Sequence, residues 1–149
     1  MVKKILVPID GSGTSGKAVK YAADLAKQTG AAITLLSVID SSAYVARSIP
    51  AVAAPLHVIE PIEDYLRQAA TAYIDAAKKI CRSKKVRAKS VTRSGHPVEE
   101  ILKEAKLSRV DLIVMGSHGR SALGAALLGS VTFGVIHRET TFPVLVVRR

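Results

Sequence analysis

A chain of 149 residues, 48% of them apolar, fits one domain with its own core, expected to span 1–149. Its formal charge of +10 points to an anionic partner, but two Phe, four Tyr and no Trp leave few rings for base stacking, which argues against nucleic acid. The single cysteine, Cys81, excludes an internal disulfide and a multi-cysteine metal site, and it reads as a small core residue.

Residues 4–9 (KILVPI) form the first predicted strand. The basic residues Lys3 and Lys4 at its start resemble a secretory leader, but Asp10 ends the apolar stretch far too soon. No run approaches the roughly 18 apolar residues of a membrane span, so a cytoplasmic protein without membrane contact is expected. Residues 15–29 carry Ala18, Ala22, Leu25 and Ala26 at helical spacing and stop at Gly30. A second strand follows at 32–39 (AITLLSVI), and then one long connection, residues 40–60, whose apolar centre is broken by proline. That segment reads equally as a flap, as a partner contact or as a loop packed on the surface.

Pro61 is expected to open a second helix running to Ser83, with Tyr65, Ala69, Ala72, Tyr73 and Ala76 along one face. The cluster Lys78, Lys79, Arg82, Lys84, Lys85, Arg87 and Lys89 reads first as a solvated face. The third strand, 86–93 (VRAKSVTR), alternates polar and apolar residues, as a sheet edge does. Pro97 begins the third helix, with Glu99 and Glu100 placed to suit its dipole. Residues 111–115 (DLIVM) are the fourth strand, a fourth helix starts near Ser130 and ends before Thr140, and 143–147 (PVLVV) is the last strand. Strands alternating with helices imply an α/β fold, an open five-stranded parallel sheet with helices on both faces.

In such a sheet, ligands bind beyond the carboxyl ends of the strands, where the strand order reverses. The loops after the first and fourth strands are therefore the ones to read. The fourth strand runs into GSHGRSALGAALLGSVT, where Gly116 and Gly119 let backbone N–H groups approach a ligand. Gly129 and Ser130 then open a helix, so Ser130, Val131 and Thr132 offer N–H groups and hydroxyls at its positive end, suited to phosphate. Arg120 could add charge-assisted hydrogen bonds. The bland alternative is that the glycines permit turns and Ser130 only caps the helix. In the other loop, Asp10 can accept hydrogen bonds from a base amino group or from ribose hydroxyls; as a plain alternative, it caps the helix that follows.

The spacing Gly116-x2-Gly119-x9-Gly129-Ser130 resembles the nucleotide-binding motif of the universal stress protein family, in its ATP-binding branch. ILVPIDGS at 5–12, Ser15, Gly95-His96-Pro97, DLIVMGSHGR at 111–120, LLGSV at 127–131 and PVLVV at 143–147 extend the resemblance over the whole chain. It implies the adenine nucleotide alpha hydrolase-like fold with strand order 3-2-1-4-5, and a homodimer through the C-terminal strand. By position, it implies that Asp10 contacts adenine or ribose, that Pro8 and Val38 line the base pocket and that Met115 borders it. Gly116, Gly119, Gly129, Ser130, Val131 and Thr132 would hold ribose and phosphates. The implied ligand is ATP, with or without Mg2+. The implied role is regulatory, in the stress response, towards a protein partner that the sequence does not identify. Phe142 departs from the pattern, which often has a smaller residue before Pro143.

Two rival readings are weaker. Gly11-Ser12-Gly13-Thr14-Ser15-Gly16 matches the GxGxxG of dinucleotide-binding domains, but Asp10 would set a carboxylate beside the pyrophosphate. A slow ATP-hydrolysing or phosphoryl-transfer enzyme is the other. Against it, no Walker lysine motif is present, and His57, His96, His118 and His137 are scattered without metal spacing.

Overall fold

In a computed structural model of the chain, the described residues are 1–40, 56–119, 128–138 and 141–148, with only the backbone considered at 56–60. Five strands alternate with four helices among them: β1 (Lys4–Pro8), α1 (Gly13–Thr29), β2 (Ala32–Ile39), α2 (Leu56–Ser83), β3 (Ala88–Ser94), α3 (Pro97–Ser108), β4 (Leu112–Gly116), α4 (Ser130–Arg138) and β5 (Val144–Val147). All strand pairs are parallel and the order is β3-β2-β1-β4-β5, as the resemblance implies. The alternating strand β3 lies at one edge, and its Lys89 and Arg93 discourage pairing with a foreign strand.

The two apolar faces of the sheet follow from the side-chain alternation of its strands. Ile5, Val7 and Ile9 of the first strand and its loop pack with Ala18, Val19 and Ala22 of α1 and Ile74, Ala77 and Cys81 of α2. Leu6, from the same strand, turns the other way into a cluster with Val98, Ile101 and Ala105 of α3 and Val135 of α4. The crossovers before β3 thus cover one face and those after it cover the other. That is what reverses the strand order between β1 and β4. Cys81 is buried in the first cluster, and burial pushes its thiol above the ordinary range.

The helix ends follow their local chemistry. Ser12 caps α1 by accepting from the Ser15 N–H at 3.2 Å, and Gly30 ends it in the left-handed region. α2 departs from expectation by starting at Leu56, ahead of Pro61. Proline there forfeits the bond to the His57 carbonyl and crowds that carbonyl with its ring, yet the helix runs through it. Residues 56–60 of the predicted long connection are therefore helical, and 41–55 lie outside the described residues.

Asp111 fastens β1 to β4 at their starts. Its Oδ2 accepts from the Lys3 and Lys4 N–H groups at 2.8 and 2.9 Å, and these bonds hold its carboxyl below the usual carboxylate range. The native chain therefore keeps Asp111 ionised where the unfolded chain has taken up a proton. The stabilisation is full at neutral pH and is lost as pH falls through the native value. Asp111→Asn is expected to lower stability to urea at pH 7, by about 1 kcal/mol for two exposed bonds, with the difference shrinking as pH falls below the usual carboxylate range.

Candidate nucleotide site

The loops beyond β1 and β4 meet through their smallest residues. Gly116, at the end of β4, lies against the start of α1, where a Cβ on it would stand 2.7 Å from the Thr14 carbonyl carbon and 2.8 Å from the Ser15 nitrogen. Only a residue without a side chain lets α1 begin so close to β4. A Cβ on Gly119 would stand 2.9 Å from Asp10 Oδ2, and one on Gly129 would stand 3.2 Å from both Gly119 N and His118 Cα. Asp10, Gly119 and Gly129 thus form a continuous line of contact from the β1 loop to the start of α4.

Hydrogen bonds fix this line in place. Asp10 Oδ1 accepts from the Ser12 N–H at 2.9 Å, closing a turn around Gly11, whose φ is +78°. The Asp10 N–H donates to Ser15 Oγ at 3.3 Å. The Thr14 hydroxyl donates to the His118 carbonyl, and Ser12 Oγ reaches the same oxygen at 3.3 Å. The Gly129 N–H donates to the Ser117 carbonyl at 2.7 Å, and the buried Thr132 hydroxyl ties α4 back to the Gly116 carbonyl at 2.8 Å. Fully buried Ser117 holds its hydroxyl 2.8 Å from His118 Nδ1. Asp10 is therefore not the cap of α1, a duty that Ser12 performs.

Of the residues expected at the site, Asp10, Gly116, Gly119, Gly129 and Thr132 are brought together by these contacts. Ser130 opens α4 and is exposed, with its N–H in the first turn, where no helical carbonyl faces it. Pro8 ends β1 beside Leu36, and Val38 lies near the end of β2, opposite Arg93. Met115 is 4% exposed in the cluster with Leu36 and Val98, and Val38 and Val131 pack partly buried on the same cluster. These three share the α3–α4 face of the sheet. Arg120 lies outside the described residues. Thr14 and Ser117 were missed in the sequence: nothing in the chain marks Thr14 as the partner of a carbonyl 104 residues away, or marks the Ser117 hydroxyl as the one that meets the neighbouring His118 ring. Among the described residues, no group of three His, Cys, Asp or Glu is placed to hold a metal ion, and no helix is long and apolar enough to cross a membrane.

The dinucleotide reading can be judged at its glycines. Gly13 and Gly16 are the first and fourth residues of α1, and a Cβ on either would meet nothing within 4 Å. In the dinucleotide fingerprint those glycines admit the pyrophosphate and a close strand. Here the close approach is made by Gly116 instead.

The model of the universal stress protein family matches residues 1–148. The chain belongs to that family. The universal stress protein YxiE of Bacillus subtilis is 37% identical over 149 residues, covering 99% of this chain and 100% of the relative. The universal stress protein MJ0577 of Methanocaldococcus jannaschii is 37% identical over 159 residues, covering all of this chain and 96% of the relative. Its solved structure superposes with a TM-score of 0.84 at 34% identity, over 100% of this chain and 97% of that one. A universal stress protein from Archaeoglobus fulgidus, solved in complex with dAMP, has a TM-score of 0.68 at 16% identity over 99% of this chain and 98% of that one, a likeness of fold. The parallel sheet in order 3-2-1-4-5 that the resemblance implies is present in the structure.

Proposed function

We propose that this protein is an adenine-nucleotide-binding regulatory protein of the stress response, a single domain over residues 1–149 that holds ATP between the loops after β1 and β4. The observation that carries this reading is the line of contact Asp10–Gly119–Gly129. It connects a carboxylate suited to base amino or ribose hydroxyl groups, through Gly119, to a glycine-flanked helix start suited to phosphate. In this reading Pro8, Val38 and Met115 lie towards the base, while Gly116, Gly119, Gly129, Ser130, Val131 and Thr132 hold ribose and phosphates and Arg120 adds charge. Any Mg2+ would arrive with the phosphates. The dAMP complex of a protein with the same fold supports an adenine nucleotide as the ligand class. Asp10 is the carboxylate of this arrangement and stands at the base end, so binding rather than turnover is its chemistry.

Calorimetry with two ligands tests the assignment. Asp10→Ala is expected to weaken ATP about tenfold, the scale of one hydrogen bond to a charged group, and to leave inorganic triphosphate unchanged. Equal losses for both ligands would reduce Asp10 to a support for its own turn.

The second part of the proposal is a homodimer through β5. This strand is an edge of the sheet and its residues Val144–Val147 carry no charge, in contrast to β3 at the other edge. An apolar edge pairs readily with a second copy of itself. Val146→Pro removes a donor from that edge and is expected to give monomers in sedimentation at tens of micromolar. A variant that still sediments as a dimer would place the contact elsewhere.

A further inference from the structure

Tyr73 belongs to α2, a helix that supplies none of the glycine loops, yet its ring lies directly on the β1 loop. A Cβ on Gly11 would stand 2.5 Å from Tyr73 Cζ and 2.7 Å from Cδ1, distances that no side chain could occupy. The ring therefore fills the space that a side chain at residue 11 would take. Gly11 has a second reason to be glycine, its φ of +78°. The turn is pressed by Tyr73 at Gly11, while Asp10 Oδ2 faces Gly119 so closely that a Cβ there would stand 2.9 Å from it. Within the turn, the Asp10 carboxylate is oriented by the Ser12 N–H. The half-buried ring is itself anchored, packed against the cluster formed by α1, α2 and the sheet.

We propose that Tyr73 is a positioning residue that clamps Gly11 and so aims the Asp10 carboxylate, making the site select a nucleoside over bare polyphosphate. This rests on the nucleotide reading above and goes further, because it names a residue on another element that sets the specificity. The ring carbons make the contact at Gly11, so the ring carries the effect. The start of α4 is held by its own bonds, from Gly129 N–H to the Ser117 carbonyl and from the Thr132 hydroxyl to the Gly116 carbonyl. Neither bond involves a residue of the β1 turn, so loosening that turn leaves the start of α4 in place.

The test is calorimetry of ATP and inorganic triphosphate with the parent protein, Tyr73→Phe, Tyr73→Leu and Tyr73→Ala, each checked for folding by circular dichroism. Tyr73→Phe is expected to match the parent. Tyr73→Ala is expected to lose about tenfold in ATP affinity with triphosphate unchanged, so that the ratio of the two affinities falls by that factor. Tyr73→Leu, which keeps apolar bulk in the core, should fall between them and stands in if the alanine variant does not fold. The proposal is overturned if ATP affinity is unchanged in the folded variants, if both ligands weaken in equal proportion, or if the phenylalanine variant behaves like the alanine one. A parent protein that binds neither ligand overturns the nucleotide reading itself, and this inference with it. A parent that binds both and a Tyr73→Ala that binds both equally well overturns this inference alone.

Discussion

Gly129→Val is expected to abolish measurable ATP binding in a protein that still folds, a loss of at least about a hundredfold. The reason is geometric. The first carbon of any side chain at residue 129 would stand 3.2 Å from Gly119 N and from His118 Cα, and 3.4 Å from the Ser117 carbonyl oxygen. All three neighbours are backbone, so no rotamer change relieves the contact, and the two methyl groups of valine tighten it further. The 117–119 backbone must move away, which pulls on the bond from Gly129 N–H to the Ser117 carbonyl and tilts the first turn of α4. Phosphate held by backbone N–H groups depends on their convergence on one point, and a tilt spoils several bonds together. Calorimetry with ATP and with inorganic triphosphate should show both lost, in contrast to Asp10→Ala. A valine variant that binds triphosphate like the parent would remove the phosphates from this helix start.

The largest expected effect on stability lies away from the site, at Glu104. This residue of α3 is 4% exposed, and it receives the Arg93 guanidinium at 2.8 and 2.6 Å together with the Ser108 hydroxyl. Burial alone would raise its carboxyl. The bonds from Ser108 and Arg93 and the charges of Arg93 and Lys89 outweigh it and hold the group below the ordinary range. Glu104→Ala leaves Arg93 of the edge strand without this partner and opens a gap under α3. The cost is expected to be roughly 2–4 kcal/mol, somewhat less than for a fully buried pair because Arg93 retains a quarter of its exposure. With the native carboxyl depressed, its stabilisation is whole at neutral pH and disappears as pH falls through the native value. Urea midpoints should therefore differ widely between parent and variant at pH 7 and draw closer as pH falls below the ordinary carboxylate range, leaving only the packing loss. A gap that does not change with pH would mean that Glu104 contributes packing and not charge.

Local and periodic features were legible in the chain. The near-continuous apolar runs of β1, β2 and β4 announce strands buried on both faces, and that pattern needs no knowledge of neighbours. Helix ends written in local chemistry, such as Gly30 after α1 and Pro97 opening α3, fell where the residues placed them. The start of α2 did not. Pro61 is an ordinary opening signal for a helix, but the chain begins the helix five residues sooner, at Leu56, and carries the proline inside it. The glycine spacing after β4 was legible as a pattern, because a backbone that must approach something closely can use only a few residue types.

What those glycines approach was decided by the tertiary structure. Gly116 makes room for the start of α1, Gly119 for the Asp10 carboxylate, Gly129 for the loop that follows β4 and Gly11 for the Tyr73 ring. Apart from those of Gly129, which belong to the loop that Gly129 itself ends, the partners lie far away in sequence, and a missing side chain carries no record of what fills its place. The same holds for Ser12, not Asp10, as the cap of α1: both residues suit that duty by type, and the choice was made when Asp10 turned to face Gly119. Composition and periodicity fix which residues form strands and helices because burial and hydrogen bonding act along each element. The contacts that shape the site come from chain segments meeting at the β1–β4 switch point, and that meeting exists only once the sheet has formed.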